Sequence, residues 1–556
     1  MLKGKSGPVV ETTAGPVRGR FRRKHTIELF AGIPYAAPPV GDLRWRPPQP
    51  PTPWSEPLTC KKPGAMAYQR ATSMDDIVHE LVTGLGLSTS RQRTLATALR
   101  LMPRNENEDC LTLNVRAPSG ASDLPVMVWI HGGDHTDGFS GDPIYHSSDA
   151  LPARGCVLVT INYRLGLFGF LAHPDLSAES PAGVSGNYGL LDQIAALEWV
   201  RDNIAAFGGD PDRITIFGES AGGEAVLNLM TAPSAQGLIH RAIAQSPSDQ
   251  GRWLHLRRPV LDFEPAETAG ARFAGVAVGD QDGQLDRLRA APADELMTLY
   301  RERNDLGRYF YPAVDGHVLP TTPMSAFSRQ AQSPVPLLIG YNADEGTLIA
   351  SFCHPAGAEF EFDDPTPDEV RATFVRSYGS EDAATRLLEI YPGLADGERG
   401  AKIDHLGDHM FGVHVDHACR RHAEAGHPVW RYHFRALPPL PGQTLGAFHA
   451  AELFHVFGSK VPLLPVADDA HLLTQAMGDR WFAFAATGSP DFPGREHWPR
   501  YHPDQPEQMV FDRPHSGVQP CPAEPGLDLM RDRIEYLTAT TTGTAAGAAD
   551  EGSPTR

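Results

Sequence analysis

Short apolar runs alternate with longer helical patterns along most of the chain. Apolar, β-branched runs predict strands at Leu111–Val115, Val126–Ile130, Val157–Ile161, Ile214–Phe217, Val335–Gly340 and Val429–Phe434. Helical spacing of apolar residues predicts helices at Leu190–Phe207, Ala221–Met230, His405–Ala425 and His471–Ala486. Strands that alternate with helices form a mostly parallel sheet covered on both faces. We therefore predict an α/β fold with a large, mostly parallel central sheet.

Segments outside this alternation have other compositions. The part before about residue 65 is proline-rich, which predicts a short antiparallel start with loops. Residues 69–107 form a separate block, polar and then helical at Met74–Leu85 and Arg91–Met102, which we expect to be a surface cap over the site or a decorative excursion. Residues 538–556 have low complexity and are predicted to be a disordered tail, which leaves 1–537 as a single domain.

Composition narrows the range of partners and compartments. The formal net charge of −19 argues against nucleic acid or an anionic membrane as a partner. No run of about 18 apolar residues is present, and the basic start lacks the apolar core of a signal peptide. Six cysteines without C-x-x-C spacing indicate buried thiols rather than a disulfide framework. Together these features predict a cytoplasmic protein.

The chemistry suggested by the sequence centres on a G-x-S-x-G motif at Gly218–Gly222. The motif joins the predicted strand Ile214–Phe217 to the predicted helix Ala221–Met230, so the chain must turn sharply at Ser220 and expose its side chain at the top of the sheet. Glycine suits positions 218 and 222 because neighbouring backbone passes too close for a side chain. We predict that Ser220 is a nucleophile; a plain Gly/Ser-rich turn is the alternative.

A nucleophilic serine needs N–H donors for the oxyanion that forms on the substrate carbonyl. The predicted strand Val126–Ile130 ends in His131-Gly132-Gly133, and such a glycine turn can point backbone N–H groups at a carbonyl oxygen. The N–H of Ala221, directly after the serine, is a second source. The alternative for the glycine turn is an ordinary strand end.

The serine also needs a base and an acid. Among 23 histidines, His449 lies in a loop after the last predicted strand, which matches the chain order Ser, acid, His. Asp344 and Glu345 both follow the predicted strand Val335–Gly340, at the strand end where α/β sheets build their sites. Spacing alone does not separate these two acids.

Six motifs, with the serine turn among them, are spread along the chain. They are Phe30–Tyr35, Glu108–Asn114, Asn162–Gly166, Asn187–Gln193, Phe207–Pro211 and Gly218–Gly222. In this set and order the chain resembles the type B carboxylesterase and cholinesterase family of α/β-hydrolases, from about residue 9 to 535. The resemblance implies an α/β-hydrolase fold with a short antiparallel N-terminal part and cap-like insertions.

The family resemblance also implies site roles. It implies Glu345 rather than Asp344 as the triad acid and His449 as the base. The oxyanion donors would come from the turn at Gly132, Gly133 and Asp134 and from Ala221. The expected protein is a serine carboxylesterase that acts on a small-molecule ester through an acyl-serine and needs no cofactor or metal.

The chain departs from the family pattern at the oxyanion turn. Asp134 stands where the family has glycine or alanine, and His135 replaces the usual aromatic residue. The Asp134 carboxylate would oppose the oxyanion unless it points away or pairs with His135. If it opposes the oxyanion, Asp134→Gly should raise turnover. The alternative to an esterase is therefore a non-enzymatic, cholinesterase-like binding protein that keeps the fold, with catalysis impaired by Asp134.

Three other features carry competing interpretations. The family's first disulfide would pair Cys110 with a position near Ala67 rather than Cys60, so we expect Cys60 and Cys110 to remain thiols. The histidines between His405 and His417, with Cys419, could form a metal site, but an amphipathic surface helix explains them better. Glu219 either senses positive charge on His449 or the substrate, or is a solvated residue of the turn.

Overall fold

The computed structural model describes residues 7–70, 79–100, 105–248, 254–261, 263–279, 282–303, 305, 309–349, 366–459 and 469–541. Its strands are β1 Val9–Glu11, β2 Pro16–Arg18, β3 Arg20–Arg22, β4 Ile27–Pro34, β5 Leu58–Thr59, β6 Thr112–Pro118, β7 Leu124–Ile130, β8 Val157–Ile161, β9 Gly209–Glu219, β10 Arg241–Gln245, β11 Leu337–Asn342, β12 Val429–Phe434, β13 Glu507–Phe511 and β14 Gly517–Pro520. All six predicted strands are present.

These strands form one large sheet and one small one. In the described part of the chain, an 11-stranded sheet has the order β14-β13-β12-β11-β10-β9-β7-β8-β6-β4-β3, and β1, β2 and β5 form a separate three-stranded sheet. The pairings from β8 through β7, β9, β10, β11 and β12 to β13 are parallel. The pairings at the β3 edge and between β13 and β14 are antiparallel. This sheet confirms the predicted fold class and the antiparallel start.

Helices surround the large sheet. They span Thr89–Arg100, Pro143–His146, Gly166–Phe170, Pro174–Glu179, Tyr188–Asn203, Ala221–Thr231, Ala266–Val278, Gln284–Ala290, Ala293–Glu302, Pro323–Ser328, Gly346–Ile349, Pro367–Tyr378, Glu381–Ile390, Arg399–Gly407, Val413–Glu424, Leu453–Val456, Ala470–Thr487 and Pro525–Thr541. No described helix is both long and apolar enough to cross a membrane. The last helix ends at Thr541, within the segment predicted as a tail, and 542–556 lie outside the described residues.

Alternation along the central strands builds a core on each face of the sheet. On β7, Val128 and Ile130 pack into one buried cluster, whereas Met127 and Trp129 pack into the other. Because successive side chains of a strand point to opposite faces, a continuous apolar run indicates a strand covered on both sides. The helix Ala221–Thr231 contributes Val226 to the first cluster.

The prediction of one surface helix at His405–Ala425 is wrong on two points. The helix is interrupted, and many of its side chains are buried. A π-helical turn at Asp408–Gly412 separates the helices Arg399–Gly407 and Val413–Glu424. The candidate metal ligands His405, His409, His414, His417 and Cys419 are all buried, so the segment is not a surface helix. The described residues contain no group of three or more His, Cys, Asp and Glu side chains arranged to hold a metal ion.

The described part of the inserted block packs against the C-terminal half of the chain. Residues 79–84 and Thr89–Arg100 are helical, while 71–78 and 101–104, which include parts of both predicted helices, lie outside the described residues. Leu85 is buried in the same cluster as Leu445 and Phe448. The Thr444 N–H donates a hydrogen bond of 2.8 Å to the Gly84 carbonyl. The block therefore contacts the loop that precedes His449.

The described cysteines are free thiols. Cys60, Cys110, Cys156 and Cys419 are buried and Cys521 is half-buried, while Cys353 lies outside the described residues. Burial raises the pKa of the Cys60 thiol to about 12. The expectation that Cys60 and Cys110 do not pair is thus confirmed.

Candidate active site

The G-x-S-x-G motif forms a sharp turn between β9 and the helix Ala221–Thr231. Ser220 has φ 59° and ψ −126°, a left-handed conformation that is strained for a residue with a side chain. A Cβ on Gly218 would lie 2.3 Å from the Gly222 carbonyl oxygen, and one on Gly222 would lie 2.2 Å from that of Ile130. Neighbouring backbone therefore passes too close for side chains at both positions, as the sequence predicted.

His449 lies between two carboxylates. Its Nδ1 is 2.6 Å from Glu345 Oε2, and its Nε2 is 3.1 Å from Glu219 Oε1. Burial by itself lowers the pKa of His449. The charges of Glu219 and Glu345 outweigh burial and raise that pKa to about 9. Among the described hydrogen bonds, none joins Ser220 Oγ to His449 Nε2. The imidazole nevertheless reaches the serine turn, because its Nε2 contacts the residue directly before Ser220.

The structure distinguishes the two acids that the sequence left open. Glu345 is buried, and its second oxygen accepts hydrogen bonds from Ser246 Oγ at 2.6 Å and from the Asn342 N–H at 2.7 Å. Asp344 instead accepts a hydrogen bond of 2.6 Å from the Ala447 N–H, in the loop before His449. Glu345 therefore contacts the imidazole, while Asp344 fixes the loop that carries it.

Glu219 is buried rather than solvated, which excludes one of its two interpretations. Its side chain is 6% exposed. Burial raises the pKa of the Glu219 carboxyl to about 8, although the nearby His449 opposes that rise. The buried carboxyls of Glu452 and Glu345 also raise the pKa of Glu219, because like charges disfavour its ionised form.

The candidate oxyanion turn lies directly against the serine. A Cβ on Gly132 would approach the Ser220 Cβ to 3.1 Å, and one on Gly133 would lie 2.4 Å from the Asp137 carbonyl oxygen. The N–H of Ala221, in the first turn of its helix, has no intrahelical partner and is placed to bind an anion. Gly132, Gly133 and Ala221 thus surround the space next to Ser220.

The side chains at positions 134 and 135 have partners outside the turn. The Tyr311 hydroxyl donates a hydrogen bond of 2.7 Å to Asp134 Oδ2. His135 is buried, and its Nε2 lies 3.3 Å from Glu224 Oε2. Asp134 thus has Tyr311 as a partner, and His135 has Glu224.

Sequence reasoning missed a buried polar network behind His449. Glu452 is fully buried and accepts hydrogen bonds from Gln245 Nε2 at 2.8 Å and Asn342 Nδ2 at 2.7 Å. Gln245 and Asn342 end the parallel strands β10 and β11, and Ser246 follows β10. Polar residues at the ends of neighbouring parallel strands were the available signal.

The sheet order and the serine on a strand-to-helix turn define an α/β-hydrolase. The Carboxylesterase family model matches residues 6–525. The chain is 36% identical over 512 residues to the fumonisin B1 esterase of Sphingopyxis macrogoltabida, covering 89% of this chain and 84% of that protein. It is 34% identical over 516 residues to the para-nitrobenzyl esterase of Bacillus subtilis (strain 168), covering 91% and 94%. The protein therefore belongs to the carboxylesterase family and is a carboxylic ester hydrolase.

Solved structures agree with this assignment. A PNB esterase structure matches with a TM-score of 0.76 and 32% sequence identity, covering 94% of this chain and 100% of that one. A structure of a thermophilic PNB esterase also matches with a TM-score of 0.76, at 31% identity, covering 95% and 100%. The fold of the relatives thus extends over nearly the whole chain.

Proposed function

We propose that the protein hydrolyses small-molecule carboxylic esters through an acyl-serine intermediate on Ser220. His449 is the general base, Glu345 orients its imidazole, and the N–H groups of Gly133, Asp134 and Ala221 bind the oxyanion, with Gly132 leaving room beside the serine. The observation that carries the proposal is the 2.6 Å contact between Glu345 and His449, placed at the turn that presents Ser220.

In the first half of the reaction, Ser220 Oγ attacks the ester carbonyl and its proton passes to His449 Nε2. The carbonyl oxygen becomes an oxyanion, which the backbone N–H groups stabilise. When the tetrahedral intermediate collapses, the bond to the alcohol breaks and His449 returns the proton to the departing oxygen.

In the second half, water takes the place of the alcohol. His449 accepts a proton from the water as its oxygen attacks the acyl-serine. The second tetrahedral intermediate releases the carboxylic acid and restores the Ser220 hydroxyl. Every proton transfer uses His449, so no cofactor or metal is needed for this sequence.

The test is Ser220→Ala with p-nitrophenyl esters. We expect turnover to fall by about 10⁴-fold or more, because the acyl-enzyme route is lost. The exposed Ser119→Ala is the matched control and should keep wild-type turnover. A fluorophosphonate should label the wild type and Ser119→Ala, but not Ser220→Ala. Turnover retained by Ser220→Ala, or wild type that resists labelling, would contradict the proposal and favour a binding protein.

The substrate range is the next question for the same site. The names of these relatives point to fumonisin B1 and para-nitrobenzyl esters as the substrates of those proteins. We propose that esters of both kinds are the first to assay, together with a panel of p-nitrophenyl esters of increasing acyl length. Because a hydrophobic pocket separates adjacent chain lengths only weakly, the panel must span several carbons.

A further inference from the structure

The oxyanion turn contains three consecutive residues with positive φ. Gly133 has φ 103°, Asp134 φ 55° and His135 φ 52°. Glycine adopts this region freely, whereas a residue with a Cβ is strained there, histidine more than aspartate. Two side-chain residues in succession therefore need outside contacts that hold this backbone.

The side chain of Asp134 is bound to the segment 311–313. The Tyr311 hydroxyl donates to Asp134 Oδ2, and the Tyr311 ring is buried. Two residues further on, Ala313 is fixed by Asn187, which accepts its N–H at 2.9 Å and donates to its carbonyl at 2.7 Å. The Asp134 carboxylate is thereby held by a segment that is itself anchored at the start of the helix Tyr188–Asn203.

The side chain of His135 contacts the helix that follows the nucleophile. Its ring lies 3.3 Å from the carboxylate of Glu224, in the first turn of the helix Ala221–Thr231. The Glu224 N–H donates to the Ser220 carbonyl at 2.9 Å, and the His135 carbonyl accepts the Gly166 N–H at 2.7 Å. The contact between His135 and Glu224 thus joins the turn that contains Gly133 to the start of the helix that contains Ala221.

We propose that Asp134 and His135 are positioning residues for the oxyanion hole. Tyr311 and Glu224 hold two successive residues of the turn, so that the donors on the turn keep a fixed separation from the Ala221 N–H. This inference rests on the proposed ester hydrolysis at Ser220. It gives the Asp134 carboxylate a positioning role through the Tyr311 hydroxyl, in place of the sequence-based expectation that this carboxylate opposes the oxyanion.

The first test removes the partners and leaves the turn itself unchanged. We expect Tyr311→Phe and Glu224→Ala each to lower kcat about 10-fold with KM unchanged, because misplaced donors weaken the transition state and not ground-state binding. This loss is smaller than the about 10²–10³-fold effect of deleting a whole donor. Matched controls are the exposed Tyr536→Phe and Glu198→Ala, which should match wild type in both constants.

A trifluoromethyl ketone inhibitor separates positioning from general loosening of the fold. It forms a tetrahedral adduct on serine, so its affinity should weaken by the same factor as kcat/KM in both variants. We also expect Asp134→Gly to lower kcat, and Asp134→Asn to retain more of it, because an amide oxygen still accepts the Tyr311 hydroxyl and asparagine tolerates positive φ.

Two results would overturn the inference. One is wild-type kcat and inhibitor affinity in both Tyr311→Phe and Glu224→Ala; the other is a higher kcat in Asp134→Gly. The Ser220→Ala result distinguishes this failure from that of the proposed function. If Ser220→Ala is inactive while the positioning variants behave as wild type, only the positioning role is wrong; if Ser220→Ala stays active, the proposed function fails as well.

Discussion

At the scale of single residues, Glu219 raises the pKa of His449, the candidate base. Its Oε1 lies 3.1 Å from His449 Nε2, the nitrogen that must accept the proton of Ser220 in the proposed mechanism. A carboxylate in this position stabilises the imidazolium form of His449 and so raises the pKa of His449. The base is therefore available only above that raised pKa.

Glu219→Gln should shift the pH profile. The variant removes a negative charge beside His449, so the pKa of His449 falls and the neutral imidazole exists at lower pH. We expect the acidic limb of kcat/KM to move down by about 1 to 3 pH units. The measurement is kcat/KM for one p-nitrophenyl ester at closely spaced pH values.

The matched control for this experiment is Glu295→Gln, at an exposed position. It should leave the acidic limb in place, since surface charges are screened by salt. An acidic limb that stays fixed, or moves to higher pH, in Glu219→Gln would show that Glu219 does not control the protonation of His449.

Residue types and chain order were sufficient to predict Ser220 as the nucleophile and His449 as the base. They were insufficient for the acid, because Asp344 and Glu345 both follow the same strand and only their partners differ. Glu452 could not be predicted as part of this network, since its neighbours Gln245 and Asn342 are distant in sequence. Tertiary contacts decide such cases.

At the scale of elements, the inserted block supports the loop that carries His449. Leu85 is 2% exposed and belongs to the cluster with Leu445, Ala447 and Phe448. The Thr347 hydroxyl donates a hydrogen bond of 2.6 Å to the Leu445 carbonyl, on the other side of this loop. The loop before His449 is thus held between the block and the strand end that bears Glu345.

Leu85→Ala should destabilise the protein through this packing. Removing a buried leucine leaves a cavity, and we expect the free energy of unfolding to fall by about 2–5 kcal/mol. Urea denaturation followed by tryptophan fluorescence measures the change. Leu472→Ala, at a position 49% exposed, is the control and should alter stability far less. Equal stability losses in the two variants would show that the block does not pack as described.

Elements with strong periodicity were predictable, and those determined by neighbours were not. Six of the buried central strands have continuous apolar runs and were predicted. The central strand β10, Arg241–Gln245, has only three apolar residues in a row and was missed. The edge strands β1, β3, β5 and β14 are two to four residues long, too short for a pattern to emerge. The π-helical turn at Asp408–Gly412 has no sequence signal, and it divides one predicted helix in two.

At the scale of the whole molecule, burial keeps many histidines neutral. Burial lowers the pKa to about 3 or 4 for His131, His146, His255, His417, His422, His433 and His455. In the unfolded chain each would titrate near its ordinary value of about 6.5. Buried carboxyls act in the opposite sense, since burial raises the pKa of Glu219 to about 8 and that of Asp408 to about 6. Burial also raises the pKa values of Asp109, Asp142, Asp404, Glu452 and Glu524.

Stability should therefore fall on mild acidification. Between about pH 4 and 6.5 the unfolded chain binds protons that the folded histidines exclude, so the free energy of unfolding decreases as pH falls through this window. The raised carboxyls oppose this trend but are fewer among the groups with large shifts. Urea denaturation at half-unit pH steps from 7 to 4.5 tests the direction, and stability that is constant or rises toward acid would contradict it.

A single variant assigns part of the pH dependence of stability to one buried histidine, His455. His455→Gln should reduce the slope of unfolding free energy against pH by about 1.4 kcal/mol per pH unit, the value for one proton. His502→Gln, at an exposed position, should leave the slope unchanged. Equal slopes in His455→Gln and wild type would assign the acid sensitivity to other groups.

The uneven space along the oxyanion turn also bears on how this chain can diverge. Positions 132 and 133 are closed to any side chain, because a Cβ there meets Ser220 or the Asp137 carbonyl. Positions 134 and 135 already hold an aspartate and a histidine, each with a partner on another segment. Drift and directed evolution can therefore exchange residues there only together with Tyr311 and Glu224, so that these four positions should be randomised in pairs.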